Sequence, residues 1–129
     1  MKTQWILVAD SASARIFEPE NQGTHLKLVQ ELQHPQSRDQ GQKDGKGSEN
    51  HGGRDEASVN FARELGTLLT LAHSQNHFAD LVIVADPRFL GMLRPELSSA
   101  VEGSVSRSIG KHAVQMGLPE LIDLVAKKD

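Results

Sequence analysis

Apolar spacing along the chain changes character near residue 56, with strand-like runs before it and a helical period after it. Residues 4–10, QWILVAD, are almost continuously apolar, as in a strand buried on both faces of a sheet. Asp10, Ser11 and Ser13 follow in a turn whose side chains can hydrogen-bond nearby backbone. Residues 14–18, ARIFE, predict a second strand, closed by Pro19 and the polar turn 20–23. Between residues 25 and 32 the pattern alternates. Leu26, Leu28 and Leu32 fall at even spacing, which predicts a half-buried strand pairing with its predecessor as a hairpin.

From Glu56 onward, Phe61, Leu65, Leu68, Leu69 and Ala72 follow i, i+4, i+7, i+8, i+11 and form one apolar stripe. Asp55 suits the N-cap of this helix, which is expected to run to about residue 76. Residues 78–85, FADLVIVA, carry the strongest strand signal and lack alternation, so they predict a central strand. Asp86-Pro87 opens a second helix toward residue 100, with Phe89, Leu90, Leu93 and Leu97 inward and Pro95 dividing it. Val105, Arg107, Ile109 and Lys111 alternate in a last strand, and residues 118–125 form a final helix. The order predicts one α/β domain over residues 1–129: a mixed central β-sheet of about five strands packed by about three helices.

Residues 33–55 interrupt this pattern. They hold almost no large apolar residue and cannot offset their ordering entropy by burial, so a long flexible loop is expected before the first long helix. Loops of this length inside a compact domain are uncommon and are usually functional or disordered. The basic residues between His34 and Arg54 (Arg38, Lys43, Lys46, Arg54) nearly balance Asp39, Asp44 and Glu49. Net charge over the whole chain is −3, which argues against avid, non-specific binding to free nucleic acid. A local basic patch can still contact RNA.

Cysteine is absent, which removes disulfides and thiolate metal sites. No apolar run reaches bilayer length, and the start of the chain does not read as a signal peptide, so a cytoplasmic protein without membrane insertion is expected.

Asp10 and Asp86 each follow a predicted central strand, where open α/β sheets usually bind ligands. Two carboxylates there could hold a metal or share acid–base work. The reading adopted is that each ends its strand and caps the next segment of chain, since no third carboxylate or histidine has recognisable spacing. His73 and His77 lie one helical turn apart, as in a zinc pair, but Ser74 stands where a metalloprotease carries glutamate. A structural role is expected for both. Arg88 and Arg94 could grip phosphates in bidentate fashion, or Arg94 could pair with Glu96 or Asp86. Neither a nucleophile elbow nor a phosphate-cradling glycine loop occurs, and no cofactor or metal is expected.

Three segments resemble the bacterial host-attachment protein family: residues 5–17, WILVADSASARIF; residues 61–65, FAREL; and residues 78–94 with their core PRFLGMLR. That family in turn is similar to the middle domain of archaeal and eukaryotic class-I peptide release factors. There a long loop with a Gly-Gly-Gln tip enters the peptidyl-transferase centre and promotes hydrolysis of the peptidyl-tRNA ester. Gly52-Gly53-Arg54 stands in the corresponding place, ahead of Phe61-Ala62-Arg63. Arginine replaces the glutamine, and the spacing to Phe61 is longer by about two residues.

The resemblance implies a binding module that contacts ribosome or RNA through this glycine-rich loop. Gly52, Gly53 and Arg54 are its candidates for catalysis, and Asp10, Arg15, Arg54, Arg88 and Arg94 its candidates for binding. One alternative is a peptidyl-tRNA ester hydrolase. Another is a host-interaction or adhesion protein that meets a host-surface component.

Overall fold

The computed structural model describes residues 3–20, 25–33, 51–111, 113 and 116–126, with the backbone alone at 51–55 and 126. Strand β1 (Gln4–Ala9) pairs on one side with β2 (Ser13–Glu20), antiparallel, and on the other with β4 (Asp80–Ala85), parallel. β3 (His25–Gln33) extends the sheet beyond β2, and β5 (Val105–Gly110) extends it beyond β4. The resulting five-stranded mixed sheet has the order β3-β2-β1-β4-β5. The two uninterrupted apolar runs of the sequence are its adjacent central strands, and from Trp5 to Ala9 and Leu81 to Ala85 every residue is buried.

Alternation divides those strands between two cores. Trp5, Leu7, Ile83 and their neighbours pack under α1 (His51–Ser74), α2 (Pro87–Leu93) and α3 (Ser99–Ser104). Ile6, Val8, Val82 and Val84 meet α4 (Leu118–Ala126) through Leu121. Pro95 divides the segment after β4 as expected: a 3-10 turn, Arg94–Glu96, separates α2 from α3. The Ser98 hydroxyl restarts the helix by accepting from the Val101 N–H at 3.2 Å.

The helical stripe Phe61, Leu65, Leu69, Ala72 lies inward in α1 as its spacing predicts. The helix ends in a Schellman arrangement. Asn76 adopts φ 63°, its N–H donates to His73 O at 3.0 Å, and the His77 N–H donates to Ala72 O at 2.9 Å. At its other end α1 starts at His51, five residues before the expected Glu56, and takes in Gly52, Gly53 and Arg54. Gln33, expected in the loop, closes β3. The remainder of the expected loop, residues 34–50, lies outside the described residues.

Both edge strands depart from simple alternation. In the β2–β3 pair, Ile16 faces Gln30 while Phe17 faces Leu28, so Val29 is an extra residue. Leu26 packs with the α4-side core and Leu32 with the α1-side core, so the three leucines do not share a face. In β5, Val105 faces Leu81 and Arg107 faces Val82, making Ser106 the extra residue. Val105 therefore packs on the α1 side and Ile109 on the α4 side. A β-bulge flips the faces on either side of it, and bulges concentrate on edge strands.

Candidate functional site

β1 and β4 end side by side, Ala9 opposite Ala85, and this places Asp10 and Asp86 on one rim of the sheet. The Asp10 Oδ1 accepts from the Ala12 and Ser13 N–H groups at 2.8 and 3.0 Å, and its own N–H donates to Ser13 O at 2.9 Å. It closes the turn into β2. Asp86 is the N-cap of α2, where its Oδ1 accepts from the Arg88 N–H at 3.4 Å. Both carboxylates cap backbone N–H groups. Among the described residues no cluster of three or more His, Asp or Glu could hold a metal ion.

The start of α1 reaches the same rim. α1 runs antiparallel to β4, because its end leads to Ala79, whose N–H donates to Thr3 O beside the beginning of β1. Among the residues whose burial is described, Phe61 is the first buried one in α1, and its ring lies 5.9 Å from that of Phe89, in the helix that follows the end of β4. Residues 51–60 form an N-terminal extension of roughly 15 Å of helix ahead of that contact, in which Glu56 and Asn60 are exposed and Ala57, Ser58 and Val59 half-buried. Gly52, Gly53 and Arg54 lie at the far end of that extension, in the backbone of the first turn.

Arg88, in the first turn of α2, is exposed on this rim. Arg15 and Arg94 are not gathered there with it. Arg15 sits on the hairpin, on the α4 side of β2, with its Nε 3.6 Å from the Glu31 Oε2 directly across the strand pair. Arg94 lies in the 3-10 turn beyond α2 and lines a cleft beside β5. Neither expected partner engages it: Glu96 instead takes Arg63, at 3.6 Å.

The two histidines have separate structural partners. His73 Nε2 and the Ser104 hydroxyl are 2.9 Å apart, which ties the end of α1 to the end of α3. The His77 ring stacks on Trp5 at 6.2 Å. The cleft beside β5, with Ser99, Glu102 and Ser108 in its wall, had no signature in sequence. Its residues come from four elements, β4, the 3-10 turn, α3 and β5, and share no spacing. The one sign in the chain was an unusual density of hydroxyl and charged side chains from Ser98 to Ser108.

A family model described as "Protein required for attachment to host cells" matches residues 5–125. No curated protein sequence matches the chain. Among solved structures it is similar to the type II variant of the Ppx/GppA phosphatase from Aquifex aeolicus, at 14% identity and a TM-score of 0.41. That likeness covers 85% of this chain and 36% of the phosphatase, so the chain spans well under half of that protein's length.

Proposed function

The chain belongs to the family of proteins required for attachment to host cells, and from that premise we propose that it is a binding module contacting RNA, as on a ribosome, through the leading turns of α1. The observation that carries this reading is the overhang: residues 51–60 precede the Phe61–Phe89 contact, and no residue from 56 to 60 is buried. A helix N-terminus offers unpaired N–H groups and a positive dipole end to phosphate. Gly52 and Gly53 leave the backbone open to close approach, and Arg54 adds a permanent cation.

Binding is preferred to ester hydrolysis on chemical grounds. Asp10 and Asp86, the carboxylates on the rim, each cap backbone through Oδ1. Arg54 stands where the resemblance to release factors would require glutamine, and a guanidinium stays protonated near neutral pH and cannot serve as a general base.

Co-sedimentation with ribosomes tests the proposal, using the intact chain, Gly52→Val/Gly53→Val and Arg54→Glu, with helical content checked by circular dichroism. The intact chain is expected to pellet at low salt and to be released as salt rises. Both variants are expected to lose several-fold in pelleting. Equal pelleting of all three, or none at any salt, would reject RNA contact through α1 and leave the overhang to a host component.

A further inference from the structure

The cleft beside β5 has an open volume of about 460 Å³ and is walled by α3, the 3-10 turn and the strand itself. Four consecutive residues of β5, Val105 to Ser108, line it. Arg107 is among them although its side chain lies on the α4 side, and the bulge at Ser106 interrupts alternation, so the strand meets the cleft through its backbone as well as through the side chains of one face. Among the described residues β5 is the last strand of the sheet, and half of its backbone N–H and C=O groups point away from β4, toward its outer edge.

The walls add side-chain chemistry to this backbone. Ile83, Leu97 and Val105 form an aliphatic floor, with Arg94 and Glu102 in the same lining. With the described residues, neither the Arg94 guanidinium nor the Glu102 carboxylate makes a hydrogen bond or an ion pair. The Arg107 guanidinium is not available to the cleft: it donates to Val125 O at 2.6 Å, on the α4 side.

We propose that this cleft binds an extended peptide segment of a partner protein, added as a strand along the outer edge of β5. An acidic side chain of the segment meets Arg94, a basic one meets Glu102, and an aliphatic one lies on Ile83, Leu97 and Val105. Main-chain bonds supply affinity in strand addition, and the flanking contacts supply selectivity. The bulge at Ser106 leaves residues 107–110 as the straight run of the edge, so the paired segment is short and the two charged contacts govern which sequences fit. An RNA strand suits the cleft poorly. Glu102 opposes phosphate, and among the described residues of the lining no aromatic ring can stack a base.

This inference does not depend on RNA contact at α1, and its test is separate. The probe is a fluorescein-labelled peptide, acetyl-Val-Asp-Val-Lys-Val-Thr-amide, titrated with the full chain and followed by fluorescence anisotropy. Saturable binding is expected, weakened about tenfold by Arg94→Glu, as for loss of one charge-assisted hydrogen bond. A second probe with its aspartate and lysine exchanged is expected to bind the Arg94→Glu/Glu102→Lys protein better than the unaltered chain. Methylating the probe's backbone nitrogens is expected to abolish binding in every case. Both substituted side chains are exposed, and an unchanged thermal melt shows that the fold is kept. Absence of saturable binding, indifference to both substitutions, or full binding of the methylated probe would each overturn the proposal. Ribosome pelleting of Glu102→Lys is expected to match the intact chain, which separates this surface from α1.

Discussion

A methyl group at position 66 would sit 2.4 Å from the carbonyl oxygen of Glu96, closer than any relaxed contact. Gly66 is where the 3-10 turn rests on α1, and the missing side chain sets how closely they approach. Gly66→Ala is expected to cost about 1–3 kcal/mol, read as a lower urea midpoint, because the obstacle is backbone. Gly91 and Gly103 are the contrast. Both are helical, and an added Cβ would meet nothing within 4 Å. Alanine at either position is expected to raise stability by up to about 1 kcal/mol in the same titration. At this scale the sequence was informative where a residue acts locally: Asp10, Asp86 and Pro95 each close or open an element as their types require. It was silent on Gly66, since nothing in the neighbouring residues of α1 announces the carbonyl that arrives from Glu96.

α1 is one helix with two environments. From Phe61 to Ala72 it is anchored by a buried stripe, whereas Glu56 and Asn60 are exposed and no residue from 56 to 60 is buried. Amide hydrogen exchange is expected to follow that division, with residues 51–58 exchanging at least about a hundredfold faster than residues 62–72. Uniform protection along the helix would contradict it and deprive the overhang of its separate character. The early start of α1 was not legible in sequence, because two adjacent glycines each disfavour helix by about 1 kcal/mol relative to alanine. The edge strands were misread for a different reason. Leu26, Leu28 and Leu32, like Val105, Arg107 and Ile109, keep even spacing in sequence while a bulge divides them between faces. Periodicity counts residues, and an extra residue in one strand of a pair cannot be seen by counting. The central strands have no such ambiguity, since burial on both faces writes itself as an unbroken apolar run.

Over the whole molecule, helix cover is unequal. Three helices pack one face of the sheet, and among the described residues α4 alone packs the other, with Leu121 fully buried against it. Leu121→Ala is expected to cost about 2–5 kcal/mol and to loosen α4 first, seen as earlier proteolysis after residue 117. A loss equal in size to that of an exposed alanine substitution would mean that the second face is held otherwise.

The central pairing also bears on how the chain is made. Gln4 lies opposite Asp80 and Ala9 opposite Ala85, so strand β1 must wait for a partner encoded more than half a chain later. At roughly 5–20 residues per second, a nascent chain holds its first hairpin for about 3 to 13 seconds before β4 has been synthesised. During that interval the edge of β1 that β4 will cover stays open. The hydrophobic centre of the protein is thus the part most in need of protection during synthesis, although in the finished fold it is the best hidden.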